Sequence, residues 1–298
     1  MTENSPVLPI SLKDGLSLDF KQAYEIGQVY MDEYAFAEPF PHSVLDDFLP
    51  LDLANQILEH FPLEKKTHDK VYEKGYGGTH KRQIMPADCD EFVKRLFSFF
   101  NSPSMLKFLE GITNIKGLLP DPYFTGGGFH ETSAGGLLGI HADFRVNEEL
   151  QLLRRVNVLI YLNKDWLGSY GGCLELWDKG MQKRIKSVAP IFNRCVIFNT
   201  DSDSFHGHPD PLTTPEDVTR RSIALYYYTA QTIENSSGES RHTNYVARPN
   251  DSIQNIADVK KLAMKREKRA RNRFKDNEGS RVKYFVAEVK RKFSLWGK

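Results

Sequence analysis

Cysteine is scarce: three in 298 residues, Cys89, Cys173 and Cys195, an odd number with no paired spacing. That excludes a disulfide framework and a zinc ribbon as the device holding the chain together. Long apolar runs are missing too, and none approaches the roughly 20 residues that a bilayer span needs. The opening Met-Thr-Glu-Asn-Ser-Pro lacks the basic-then-apolar order of a signal peptide. A reducing cytoplasm, with no membrane partner, is therefore the expected setting. Net charge is almost absent at +1, but it is unevenly spread. From Lys260 to Lys298 there are 15 Lys/Arg against four Asp/Glu, so the first 259 residues carry about −10. Hydrophobic residues at 40% and charged residues at 27% suit a globular chain long enough to bury a sizeable core. One enlarged all-β or α+β domain is as compatible with this length as two small ones.

Helical signals come first. Phe20, Tyr24, Val29 and Met31 form an imperfect stripe that predicts a helix between Asp19 and Tyr34. Val44–Leu49 reads as a short strand into a turn, and Pro50 then opens a helix with Leu53, Ile57, Leu58 and Phe61 on one face. A further helix falls within 91–115, with Phe92, Leu96, Phe99 and Phe100 in register. From about Leu118 to Thr229 short β-branched and aromatic runs alternate with Gly, Pro, Asn and Asp clusters. Expected strands are Leu138–Asp143, Arg155–Leu162, Cys173–Trp177, Ile185–Val188, Cys195–Asn199 and Arg220–Tyr228. This pattern predicts a mainly β fold, a jelly-roll sandwich with flanking helices. The chain then divides into a helical lead-in over 1–41, a jelly-roll domain over 42–232, and a polar linker with a basic, helical tail over 233–298. Ile256–Phe274 is the helical part of that tail, read as a solvated amphipathic helix or as a docking or nucleic-acid-binding element, because charge alone specifies no partner.

His141 and Asp143 stand two apart at the end of an expected strand, so alternation points both side chains to one face. An imidazole nitrogen and a carboxylate oxygen can then reach one cation. A third donor follows the Cys195–Asn199 strand in Phe205-His206-Gly207-His208-Pro209. His206 is preferred as that donor, with His208 as the alternative, since His206 directly follows the apolar run. Two His and one carboxylate form the facial triad of non-haem Fe(II) oxygenases, which leaves positions open for co-substrate and O₂. His130 precedes the strand and is read as a pocket-wall residue or a plain loop residue.

A dicarboxylate co-substrate needs a cation remote from the metal, and Arg can meet a carboxylate with two parallel hydrogen bonds. In Thr219–Tyr226, Arg220, Ser222, Ala224 and Tyr226 share one strand face, while Arg221, Ile223 and Leu225 share the other. The small and polar face should line a pocket, which favours Arg220 as the anchor over Arg221.

His-Ala-Asp at 141–143, Tyr161–Trp166, Gly171–Leu176, His206 and Arg220–Ile223 together resemble the prolyl-4-hydroxylase-like branch of 2-oxoglutarate/Fe(II) dioxygenases. The resemblance covers about residues 118–229 in detail and implies a double-stranded β-helix. It implies Fe(II), 2-oxoglutarate and O₂ as cofactor and co-substrates, admits ascorbate, and implies a hydroxylase releasing succinate and CO₂. It pairs Tyr161 with Arg220 on the far carboxylate of 2-oxoglutarate and lays Leu174 along its chain, with Ser222 beside them. Asp143 argues against the halogenating variants, in which a small residue makes room for halide. The implied partner is a small-molecule or peptide substrate, a peptidyl proline among them. Fold and cofactor do not dictate which. The rival readings are a catalytically inactive jelly roll that binds a ligand or partner, a nucleic-acid demethylase of the same superfamily, and a zinc or manganese cupin. Substrate choice is expected from loops at Lys74–Met85, Thr132–Gly136, Asn147–Leu153 and Ser202–Ser204. Arg145, Arg154 and Arg155 are placed near the mouth, as contacts to an anionic substrate or as solvated charges.

Overall fold

The computed structural model describes residues 5–66, 69–231 and 240–269. The expected lead-in helix is two short ones, α1 (Phe20–Val29) and α2 (Met31–Ala35). The Asp19 carboxylate caps α1 by accepting from the Gln22 N–H at 2.7 Å. Helix α3 (Leu51–Glu59) follows Pro50 as the proline predicts. The helical stretch within 91–115 is divided into α4 (Glu91–Phe100) and α5 (Pro103–Thr113). The break has a local cause: Ser102 caps a new helix by accepting from Met105 N–H, and Pro103 occupies its first turn. Helices α1 and α5 cross at glycines. A Cβ on Gly27 would stand 2.2 Å from the Phe108 carbonyl, and one on Gly111 would stand 2.4 Å from the Tyr24 carbonyl.

Among the described residues thirteen strands form one antiparallel system: β1 (His42–Leu45), β2 (Lys70–Tyr72), β3 (Thr79–Ile84), β4 (Leu119–Pro120), β5 (Gly128–Ala142), β6 (Val146–Asn147), β7 (Leu152–Tyr161), β8 (Leu174–Trp177), β9 (Arg184–Val188), β10 (Cys195–Asn199), β11 (His206–His208), β12 (Arg220–Ala230) and β13 (Asn244–Tyr245). Their main path runs β1-β10-β7-β12-β5-β11-β8-β9. The fifteen residues of β5 pair with β12 and β3 at one end and with β11 and β13 at the other, so one strand carries the chain from one sheet to its partner. The result is a nearly closed jelly roll with helices on one side, as the strand spacing predicts.

Two segments differ from expectation. Within the loop expected at Lys74–Met85 the structure has β3, which pairs with both β2 and β5. Its sequence Thr-His-Lys-Arg-Gln-Ile holds a single aliphatic residue, so no hydrophobic alternation announces it. The segment expected to be a linker contributes β13 and, from 253 to 269, a helix. The polar run Asn235–Gly238 and the tail from 270 onward, including the end of the expected Ile256–Phe274 helix, lie outside the described residues.

The main core lies between the helices and the outward face of the β1-β10-β7-β12 sheet. Val156, Val158 and Ile160 on β7 enter it together with Phe97, Phe100, Phe108 and Ile112 from the helices and Leu8 and Ile10 from the N-terminal segment. Alternation sends Asn157 and Leu159 to the opposite face, where they line a cavity. Phe97 lies edge-on to Phe124 and Phe129, each 5.2 Å away. Phe97→Ala is expected to lower the unfolding free energy by about 3–5 kcal/mol. Phe36→Ala, at an 83% exposed position, should cost less than about 0.5 kcal/mol. Urea unfolding of both variants checks the assignment of this core.

Candidate metal and co-substrate site

Pairing of β11 with β5 sets His206 directly opposite His141. Asp143 lies just past the end of β5, on the face His141 occupies. The two ring centroids are 4.4 Å apart. His141 Nε2 lies 3.7 Å from Asp143 Oδ1, and His206 Nε2 lies 3.5 Å from Asp143 Oδ2. Side-chain donors of all three residues lie within 4.8 Å of one another, the spacing a single cation can bridge. Gly207 permits the close strand pairing, since a Cβ there would stand 2.7 Å from the carbonyls of Leu138 and Gly139.

The ring orientations fit a metal. His141 Nδ1 donates to the Gly139 carbonyl at 2.8 Å, and His206 Nδ1 donates to the Ser204 carbonyl at 2.9 Å. With the Nδ1 protons so engaged, each Nε2 lone pair faces the common centre. Burial, then the neighbouring His206, pushes His141 down to about 3. Burial likewise lowers His206. Both rings are therefore neutral and able to donate. Burial alone would raise Asp143, but Arg154 and the two imidazoles outweigh it and hold the carboxyl well below its usual range. The donor set of two neutral imidazoles and one ionised carboxylate on one side of a centre suits Fe(II).

Arg154 was expected near the mouth, and the structure corrects this. It is 1% exposed, its Nη2 donates to Asp143 Oδ2 at 2.9 Å, and its guanidinium stacks 3.4 Å from the Tyr226 ring centroid. The physical cause is a bulge. Tyr227 pairs with Val156, but Tyr228 pairs with Arg154, which leaves Arg155 as the extra residue and turns Arg154 onto the same face as Asn157. Asn157 Nδ2 makes the second hydrogen bond to Asp143 Oδ2, at 2.8 Å, and Asn157 Oδ1 accepts from Arg154 Nε. Arg145 is likewise buried, donating to the Thr200 carbonyl and lying 3.7 Å from Asp201. Arg155 lies within 3.5 Å of the Thr229 hydroxyl. Asn157 escaped the sequence reading. A polar residue in second place of the otherwise apolar Val156–Tyr161 run is its only signal.

On β12 the structure has the alternation the sequence implies. Arg220, Ser222 and Tyr226 line a cavity of about 460 Å³ that His141, Asp143 and His206 also line. Arg221 faces away, 3.5 Å from Glu131 and stacked 5.0 Å from the Phe61 ring. Arg220 is buried, with its Nε on the Gly172 carbonyl at 2.7 Å and its Nη2 3.3 Å from the Tyr161 hydroxyl. Leu174 also lines the cavity. His130 lines it too, its Nε2 bonded to the Gly126 carbonyl at 2.9 Å, as does the buried His208, whose Nδ1 has no partner among the described residues.

One further residue comes from outside the expected domain. Tyr245 on β13 pairs with His141, its ring 5.3 Å from the imidazole and its hydroxyl donating to the Gly77 carbonyl at 3.1 Å. Nothing in Thr-Asn-Tyr-Val marks this strand in the sequence. Its two residues are too few for periodicity.

Residues 127–228 match the family model of the 2OG-Fe(II) oxygenase superfamily. The matched stretch takes in His141, Asp143 and His206 together with Arg220. Among solved structures, a prolyl 4-hydroxylase from Phytophthora capsici aligns with 87% of this chain and 79% of its own at 20% identity, with a TM-score of 0.50. One from Pseudomonas putida aligns over 69% and 100% at 16% identity, TM-score 0.49. A prolyl hydroxylase from Trichoplax adhaerens, solved with a hypoxia-inducible-factor peptide, aligns over 70% and 91% at 19% identity, TM-score 0.48. At 20% identity the likeness to the first of these concerns the fold alone. No significant match was found among curated proteins. Among the described residues no helix is long and apolar enough to cross a membrane.

If Arg154 and Asn157 orient Asp143 for a metal, Asn157→Leu should weaken metal affinity by about 10–100-fold while leaving the fold intact. Chelator competition on the purified chain reads the affinity. Unchanged affinity would remove Asn157 from the support of the site.

Proposed function

We propose that the protein hydroxylates an unactivated C–H bond of a small molecule or a peptidyl residue, with Fe(II), O₂ and 2-oxoglutarate, releasing succinate and CO₂. The observation that carries this reading is that three metal-type donors and the buried Arg220, whose Nη2 lies 3.3 Å from the Tyr161 hydroxyl, line one cavity. His141, Asp143 and His206 would hold the iron, which when bound supplies the oxygen-activating chemistry. The rest falls to the protein's own side chains. Arg220 meets the far carboxylate of 2-oxoglutarate with its guanidinium, and the Tyr161 hydroxyl adds a neutral hydrogen bond at the same end. Burial raises the Tyr161 hydroxyl above its ordinary range, so it stays protonated and donates. Leu174 and Leu159 shield the co-substrate's methylene chain from water, and Ser222 lies on the same wall. Arg154 and Asn157 keep Asp143 ionised and fixed in direction, so that the carboxylate enters the site without a proton to lose.

Anaerobic titration of Fe(II) into the metal-free chain with 2-oxoglutarate tests the assignment. A visible metal-to-ligand charge-transfer band is expected in the wild type and not in Asp143→Ala, and succinate release should be lost in the variant. A band of wild-type strength in Asp143→Ala would remove that residue from the ligand set. Arg220→Ala should raise the 2-oxoglutarate concentration needed for half-saturation by about 10–100-fold, the effect of losing a charged, paired hydrogen bond. An unchanged requirement would place the anchor elsewhere.

A further inference from the structure

Beyond the metal and its co-substrate anchor, the cavity wall carries an unbalanced charge. Apart from the Arg154–Asp143 pair, no Asp or Glu is among the residues that line it. Lys70, Lys74 and Lys81 come from the β2–β3 hairpin, and Lys265, Arg266 and Arg269 come from the helix over 253–269. The three lysine ammoniums converge on one ring, lying 5.3, 5.0 and 5.2 Å from the centroid of Tyr72. No ion pair to any of these three lysines, to Lys265 or to Arg269 is formed among the described residues, and Arg266 bonds only the Asn244 side chain. Burial lowers Lys74, with the like charges of Lys70, Arg269 and Lys265 adding to it, which puts hairpin and helix within one electrostatic cluster.

The helix is fixed over the hairpin rather than laid there by chance. Asp258 Oδ2 accepts from the Tyr76 N–H at 3.3 Å, and Leu262 packs so closely that a Cβ on Gly77 would stand 3.0 Å from its methyl. Arg248, in the turn before the helix, holds Asp210 at 2.7 Å and Asp251 at 2.9 Å. Anchored like charges raise the energy of the free protein, and an anion entering among them removes that cost.

We infer that this mouth is a receptor for a phosphate group, and that the substrate is a phosphorylated small molecule whose anion is held by the hairpin lysines and the 253–269 helix while its oxidised carbon reaches the metal end. Three ammoniums gathered about one ring suit a compact tetrahedral dianion better than the spaced charges of a backbone. A cavity of about 460 Å³ lies within the range of small-molecule sites. The inference rests on the proposed oxygenase reading for what happens to the substrate, but not for the binding itself.

The experiment is calorimetric titration of inorganic phosphate into the full chain loaded with Mn(II) and 2-oxoglutarate, at 0.02 and 0.15 M NaCl, with binding of 2-oxoglutarate measured separately. Saturable phosphate binding is expected, weakened at least tenfold in Lys70→Gln/Lys74→Gln and in Lys265→Gln/Arg269→Gln, with 2-oxoglutarate affinity within twofold of wild type. These are exposed side chains, so folding should survive, and the second pair guards against a local defect in the first. Phosphate that binds equally well in both variants, or that displaces 2-oxoglutarate, overturns the inference. So does a single-stranded oligonucleotide that binds far more tightly than phosphate and is lost in the same variants, which would make the surface a nucleic-acid track. Loss of 2-oxoglutarate binding in the wild type with phosphate binding retained would instead sink the oxygenase reading and leave the receptor standing.

Discussion

Everything at the centre of this molecule depends on one strand register, the pairing of β11 on β5 that puts His206 opposite His141. A strand alternates faces with a period of two, so a slip of one residue would turn His206 out of the site and Gly207 into it. The register is held from several directions. Gly207 lets β11 approach β5 at a distance no side chain would allow. Leu176 and Glu175 of β8 pair with the other edge of β11, and β13 closes the free edge of β5 beside His141. The two Nδ1 bonds to backbone carbonyls then convert strand position into ring orientation. The site is thus built mostly by main-chain pairing, which the surrounding sheet cannot relax without losing its ladder.

The second constraint is electrostatic. A carboxylate buried among two imidazoles and aliphatic walls would be protonated by desolvation alone. Asp143 escapes this through a guanidinium that is buried still more deeply than it is. Arg154 in turn satisfies its own charge with Asp143, the Asn157 carbonyl and the faces of Tyr226 and Phe144. Such a pair is weak evidence for stability, because desolvation of both ions offsets most of their attraction. Its value lies in direction: it leaves Oδ1 turned toward His141 Nε2. A one-residue bulge in β7 is what makes the arrangement possible, and it explains why adjacent arginines, Arg154 and Arg155, have such different surroundings.

How far the sequence discloses this follows from which interactions are periodic. Strand faces that alternate cleanly, such as Arg220-Arg221-Ser222-Ile223, can be read directly, and the structure has Arg220 inward and Arg221 stacked on Phe61. The jelly roll and its flanking helices follow from the same periodicities. The bulge is invisible because the residues around it, Leu-Leu-Arg-Arg-Val-Asn-Val, are compatible with either register. Strand β3 is invisible because its partners, not its composition, make it a strand: Arg82 is buried against Glu131 at 2.7 Å and Gln83 donates to the Gly127 carbonyl, so polar residues occupy positions where a strand is recognised by apolar ones. Tyr245 is a contact across about a hundred residues of chain, which no local pattern encodes.

The charge asymmetry of the chain takes a different meaning once the fold is known. An acidic first 259 residues and a basic end suggest, as sequence, a core and an appendage. The structure brings the described part of the basic end, residues 260–269, onto the cavity rim. Residues 240–246 extend the sheet beside His141, with Arg145 and Val146 N–H groups both on the Ser240 carbonyl and Val246 N–H on the Ile140 carbonyl. Arg248 then fastens the following turn before the helix begins. Acidic charge lies elsewhere on the surface or in buried pairs, such as Glu131 with Arg82 and Glu175 with Arg184. The field at the mouth is therefore positive although the bulk of the chain is negative. Cations at the rim of the cavity favour an anion there, and the same cavity is lined by Arg220 and the three metal-type donors. Net charge summed along a sequence averages over this geometry, and the sign that matters to a substrate is the one at the entrance.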